Sequence, residues 1–230
     1  LYQLDLVRTR LNQNLRIGMD ILGVNIREAG ENLSWPFPAV EVVDGVVGAP
    51  DELVLRRSLA DEVLKLCQPI AAGSMSSEVY FAYMGTEPGC SSSDQHHNLE
   101  VWRESRLEKN GTLRAYIYNS DAQAGEFFDV AGETESGSSM YLQHVGNAFQ
   151  NAYPVGNTAI YILEEWRFKI GNDFSGDPVL QVIENDQILQ PMNVTFNVKD
   201  LQVKITLQDT TVKTSFGRLD DWTKIGSIEV

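Results

Sequence analysis

Three histidines and two cysteines are the strongest candidate nucleophiles and metal ligands in this chain. His96 and His97 are adjacent, and neighbours on an extended segment point to opposite faces, so the pair does not chelate one ion. No H-E-x-x-H, no C-x-x-C and no third nearby ligand joins them, and they read as solvated loop histidines. Serines are plentiful, yet no G-x-S-x-G occurs and no Ser–His–Asp order stands out around His144. Glu164-Glu165 and Asp220-Asp221 are carboxylate pairs that strand alternation separates, which leaves no cooperating acid and base. The segment 171–177, GNDFSGD, gathers hard oxygens at Asn172, Asp173 and Asp177 in the manner of a calcium loop. It lacks the EF-hand spacing and the distal bidentate Glu, so it reads as a turn between two strands. Beyond that calcium candidate, the expectation is no catalytic residue, no cofactor and no metal. Cys67 and Cys90 lie in turn-rich contexts, CQP and PGCSSS. They are either two unrelated buried thiols or a disulfide closing a loop of about 24 residues, worth about 3 kcal/mol in the chain-entropy model. Sequons at Asn32, Asn110 and Asn193 are expected to matter only in a eukaryotic secretory host.

The elements that must carry these residues follow from pattern. At 230 residues with 43% hydrophobic content, the chain can bury a full core as one large domain or two small ones. No apolar run approaches the ~18 residues of a membrane span. Lys plus Arg is 18 against 32 Asp plus Glu, a formal charge of −14 that opposes direct binding to nucleic acid or anionic lipid. Leu4, Leu11, Leu15, Met19, Leu22, Ile26 and Ala29 recur at steps of three, four or seven, the stripe of one helix. Gly30 follows where a left-handed helix stop is commonly placed. At about 1.5 Å per residue this helix is roughly 40 Å long. It opens on Leu1 inside the pattern, so it is expected to continue upstream. Val230 likewise falls inside a strand pattern.

WPFP at 35–38 reads as a rigid extended linker. Ala39–Val47 is apolar and β-branched, and DELVLRRS (51–58) and EVYFAYM (78–84) read as strands. Gly85–Asn98 reads as a polar loop, and Asp61–Leu66 as strand or short helix. LEVWRES (99–105) and TLRAYIYNS (112–120) are expected to pair around an Asn110-Gly111 hairpin turn. EFFDV (126–130), a loop at Gly132–Ser139, MYLQHV, the run TAIYILEEWRFKI (158–170), PVLQVIEN, NVTFNVKDLQVKITL and WTKIGSIEV complete the series. One helix followed by about ten strands, without strand–helix alternation, is an α+β arrangement on antiparallel sheet. Trp35, Trp102, Trp166 and Trp222 could serve as platforms of a surface-displayed adhesin or glycan-binding module, yet each sits in an apolar context that reads as core.

The segment RTRLNQNLRIGMDILGVNIREAGENL (8–33) resembles the signature that follows the membrane anchor in minor pilins of type IV pili of the PilW type, and in the related J-type pseudopilins of type II secretion. Arg10, Leu11, Asn14, Arg16, Met19, Asp20, Leu22, Ile26, Arg27, Ala29 and Gly30 carry the likeness, and Asn25 stands where an Asp is usual. DELVLRRS is similar to the first sheet strand of those families; VKDLQVKITL (198–207) and DDWTKIGSIEV (220–230) are similar to their closing strands. The resemblance implies a pilin-like fold, with a long N-terminal helix (1–30) packed on the antiparallel sheet of a β-rich head (31–230). It implies a structural, non-enzymatic subunit of a heteromeric tip or priming complex. The partners would be other minor pilins or pseudopilins, and the inner membrane through an anchor outside these residues. It places the head in the periplasm and then at the tip of the pilus, which favours a Cys67–Cys90 disulfide. Leu4, Leu11, Leu15, Met19, Leu22 and Ile26 would pack the helix on the sheet and on sister helices. The length of the head favours the pilus over the secretion system.

Overall fold

Alternating and periodic burial sorts this chain into two helices and fourteen strands among the described residues, which in the computed structural model are 2–46, 48–84 and 87–230; the side chains of 2–8, 10, 11 and 94 lie outside that description. In chain order the elements are α1 (Tyr2–Glu28), β1 (Val40–Val43), β2 (Glu52–Ser58), β3 (Leu64–Lys65), β4 (Glu78–Ala82), α2 (His96–Glu108), β5 (Leu113–Asn119) and β6 (Ala124–Ser136). Then come β7 (Ser139–Val145), β8 (Thr158–Tyr161), β9 (Leu163–Asn172), β10 (Pro178–Glu184), β11 (Met192–Phe196), β12 (Lys204–Leu207), β13 (Val212–Lys213) and β14 (Ile225–Glu229). They form two compact units, one of Leu1–Arg57 with Glu164–Val230 and one of Ser58–Leu163.

The first unit holds a five-stranded sheet in the order β1-β2-β9-β10-β11 and a three-stranded sheet in the order β13-β12-β14. β2 is buried without interruption from Leu53 to Arg56, the pattern of a strand covered on both faces. Leu53, Leu55, Phe168, Leu180, Val203 and Phe216 form the centre of its core. The edge strand β1 is closed on its outer side by an isolated bridge between Val42 and Phe216.

The second unit is a six-stranded sheet in the order β3-β8-β5-β6-β7-β4, curled until its two edge strands almost meet. At that seam the Cys67 amide donates to the Tyr80 carbonyl at 2.7 Å. The Cys67–Cys90 disulfide, with Cα atoms 5.8 Å apart, fastens the same place. The disulfide of the two alternatives is therefore the one that forms. Phe81, Trp102, Phe149, Tyr153, Ile117 and Ile160 fill the interior.

The expected α+β, pilin-like class is corrected. The chain is mostly β-sheet, with 17% of it helical and a nearly closed, barrel-like sheet as its largest element. Nor is α1 clamped along a sheet by its leucine stripe. Leu15 and Met19 are 52% and 51% exposed, and among the described side chains of the helix only Gly18 and Leu22 are buried. The physical reason lies at Gly18, the point where the helix comes closest to β11.

Other expectations shift for local reasons. LEVWRES is not a strand but part of α2, where Leu99 and Trp102 are three apart and both buried. A V/W-rich stretch suits either period, and helical burial wins here. His96 and His97 accordingly stand in the first turn of α2, not in a loop. Asn110-Gly111 ends that helix, with the Gly111 amide donating to the Arg106 carbonyl at 3.0 Å. Much of the expected loop Gly132–Ser139 is strand: β6 and β7 pair continuously from Gly132↔Gln143 to Ser136↔Ser139. Its polar residues tolerate the ladder because a hairpin end needs no apolar face. The run 158–170 divides at Ile162 into β8 and β9, which belong to different sheets. Val47, Gly85 and Thr86, inside two of the expected segments, lie outside the described residues.

Candidate assembly surface on the first helix

The second half of α1 meets β11 through its smallest residue. Thr195 Cγ2 stands 3.0 Å from where a Cβ on Gly18 would be, so only glycine lets the helix approach the sheet this closely without displacement. The Thr195 hydroxyl completes the contact by donating to the Asn14 carbonyl at 2.9 Å. With Asn14, Gly18 and Leu22 turned toward the sheet at steps of four, Leu15 and Met19 are carried to the flank. Ile26 and Ala29 pack partly against the core. Gly23 has only the Arg27 guanidinium near it, at 3.6 Å, so it serves no close approach.

A groove of about 190 Å³ runs beside this contact, lined by Leu15, Met19, Leu22, Leu180, Val198 and Leu201. Ile17 and Val24 add further exposed apolar surface on the helix, at 50% and 43%. Leu4 and Leu11, expected on the same stripe, lie outside the described side chains.

The end of α1 is fixed by charge and by backbone geometry. Arg57 on β2 bonds Glu28 of the last turn and, at 2.6 Å, Glu164 on β9. Gly30 takes φ +88°, as the sequence suggests for a helix stop, and the Trp222 ring covers it so closely that a Cβ would fall 2.3 Å from Cζ3. Next to Arg57, Arg56 is buried and donates to Glu165 at 2.6 Å, Glu41 at 2.5 Å and the Pro38 carbonyl at 2.7 Å. Glu164 and Glu165 thus face opposite sides of β9, each taken up by an arginine of β2.

The remaining candidates have structural partners. His97 Nε2 is 3.2 Å from Glu62 and His96 Nε2 3.7 Å from Glu135. His144 is buried, its ring tilted against Phe149 with centroids 4.5 Å apart, and its Nδ1 donates to the Ser76 carbonyl at 2.8 Å. Asp173 accepts from the Ser175 and Asp177 amides at 2.8 and 3.0 Å, closing the turn that holds Asn172. No group of three metal-ligating side chains occurs among the described residues. Asp220 pairs with Lys213, and Asp221 accepts from the Thr223 amide at 3.1 Å. Trp102 is buried with its indole donating to the Glu62 carbonyl, Trp222 donates to the Phe37 carbonyl, and Trp166 lies 6.3 Å from Phe168, stacked; Trp35 alone of the four is exposed. The Arg56 and Arg57 network escaped sequence reasoning, and the doublet RR inside an apolar strand was its one visible signal. No described helix is long and apolar enough to cross a membrane. Comparison with known protein families, with curated proteins and with solved structures finds no match.

Proposed function

We propose that this chain is a structural, non-enzymatic subunit of a helix-driven surface assembly, a minor component of a type IV pilus of the kind its first thirty residues resemble. The observation that carries the reading is the half-exposed apolar pair Leu15 and Met19 on one flank, with Ile17 and Val24 exposed on the opposite flank, of a helix that the Gly18–Thr195 contact and the Arg57–Glu28 pair hold in place. A helix anchored by one edge, with aliphatic side chains left on its flank, is suited to a second helix laid alongside. The disulfide agrees with an exported, oxidising compartment, the periplasm and then the cell surface. The partners are other minor pilins, met through helix and head contacts.

The test is affinity capture from cell membranes of the chain and of its Leu15→Lys/Met19→Lys variant. Capture of minor pilins by the first and not by the second, with the melting temperature unchanged, is the expected result. Capture of type II secretion pseudopilins instead moves the protein to that machine. Equal capture by both forms removes the helix flank from the account.

A further inference from the structure

We infer that Asn110 is an acceptor for an N-linked oligosaccharide, a modification independent of the assembly role proposed above. The chain carries three Asn-x-Ser/Thr sequons, and the structure treats them very differently. Asn193 lies in β11, its side-chain oxygen accepting from Gln181 Nε2 at 3.0 Å. The hydroxyl of that sequon belongs to Thr195, which is buried and committed to the Asn14 carbonyl. A transferase must read that hydroxyl, so this site is closed while the fold stands. Asn32 and Ser34 are exposed in the tight turn after α1, but the Leu33 amide between them donates to the Gly30 carbonyl, the Phe37 amide donates to the Ser34 carbonyl, and the Leu33 side chain is partly buried, which ties that sequon to the turn.

Asn110 differs from Asn193 on every count, and from Asn32 in having no partly buried residue inside its sequon other than glycine. Leu107, Glu108, Lys109, Asn110 and Thr112 are all exposed, in the connection between α2 and β5. Asn110 has φ 60°, a reversal that lifts its side chain off the helix end. Its carboxamide makes no hydrogen bond among the described residues, and the segment extends once the turn bonds of the Asn110 and Gly111 amides to Leu107 and Arg106, and that of Arg106 Nη1 to the Gly111 carbonyl at 3.3 Å, open. Glu108 supplies an exposed carboxylate two residues ahead, a feature neither other sequon has, and one that a cationic acceptor groove can pair. The second, independent observation is the disulfide, which belongs to an exported compartment, where such transfer takes place.

The donor is a polyprenyl diphosphate-linked oligosaccharide, a class made in bacterial as well as eukaryotic membranes. In the transfer, a bond forms between Asn110 Nδ2 and the sugar C1, and the bond from C1 to the diphosphate oxygen breaks. The amide proton leaves to base, the polyprenyl diphosphate departs as the anion, and nothing is oxidised or reduced.

The experiment is mass spectrometry of the chain purified from its own cells, intact and as peptides, beside its Asn110→Gln and Thr112→Ala variants. The expected result is a carbohydrate mass increment on the peptide holding Asn110, lost in both variants, with Asn32 and Asn193 unmodified. An unmodified Asn110 peptide overturns the inference. So does an increment confined to Asn32 or Asn193, or a rise of about one mass unit at Asn110 alone, which is Asn–Gly deamidation. Equal melting temperatures of Asn110→Gln and the parent protein stripped of sugar guard against a folding artefact.

Discussion

The two units enclose a core under antiparallel sheet by different means. In the unit of Leu1–Arg57 and Glu164–Val230, charge sits at the centre: Arg56 is 2% exposed and Glu165 4%, joined at 2.6 Å, with Glu41 on the other side of the guanidinium. In the unit of Ser58–Leu163 the centre is aromatic and aliphatic, and the sheet is fastened at its seam by a covalent bond. The contrast teaches where register comes from. A buried guanidinium finds its carboxylates in only one alignment of β2 with β9, so desolvation punishes every slipped pairing. An apolar barrel wall is more forgiving, and there the disulfide ties β3 to the segment after β4.

The largest expected effect breaks the first device. Arg56→Met should cost about 3–5 kcal/mol, because it takes the buried counter-charge from Glu165 and Glu41 and leaves them only Arg167 at 3.8 Å and the more exposed Arg218 at 3.1 Å. The double variant Arg56→Met/Glu165→Leu should recover a large part of that loss, as read from denaturant midpoints. A single variant costing under about 1 kcal/mol would show that this unit does not depend on its charged centre. Breaking the second device, Cys67→Ala/Cys90→Ala should cost ~3 kcal/mol by the loop-closure argument. Faster hydrogen exchange at the Cys67 amide, which spans the seam, should accompany it. Unchanged exchange there would mean that the Cys67–Tyr80 hydrogen bond and the packing close the sheet unaided.

What the sequence made legible follows the same division. Helix α1 with its stop at Gly30, the strands DELVLRRS, EVYFAYM and PVLQVIEN, and the turn at 171–177 were all readable, because each is encoded within its own ten or thirty residues. The side of α1 that meets the sheet was not readable. The leucines outweigh Gly18 in any hydrophobic count, yet a glycine can be the point of closest approach. Arg56 was invisible for another reason: its partner Glu165 is 109 residues away, and an arginine in a strand reads as solvent-facing until that partner is known. In the barrel, LEVWRES misled because Leu99, Val101 and Trp102 satisfy both periods, and only burial against the sheet decides. The seam was half visible, since two cysteines in turn contexts permit a bridge without saying which strand edges it joins.

A smaller effect sharpens the account of the first unit. Gly18→Ala should gain up to ~1 kcal/mol from helix propensity and lose more from the contact with Thr195 Cγ2, for a net cost of about 1 kcal/mol. Thr195→Ser removes that methyl and keeps the hydroxyl on Asn14. In that background Gly18→Ala should become neutral or stabilising, as measured by thermal melts. A cost that persists there would mean that the backbone, not the threonine methyl, sets the spacing.

The smallest effect asks whether the barrel unit, apolar at its centre, also uses charge near its seam. Tyr80 on β4 donates to Glu78 at 2.5 Å, and that bond, ahead of burial, pushes its phenol up to about 12. Tyr161 rises to about 12 chiefly through burial, and Tyr153 is raised by burial and by its bond to Glu126. Because the folded value of Tyr80 lies above the unfolded one, its contribution is fully present below pH ~10 and is lost as pH climbs from there through about 12. Tyr80→Phe should therefore cost about 0.5 kcal/mol at neutral pH, with the difference shrinking at the alkaline end. In ultraviolet titration of tyrosinate, Glu78→Gln should return one late-ionising tyrosine toward the ordinary range and leave the two held by burial where they are. If all three move together, the late ionisation belongs to the barrel as a whole and the Glu78 bond contributes nothing of its own.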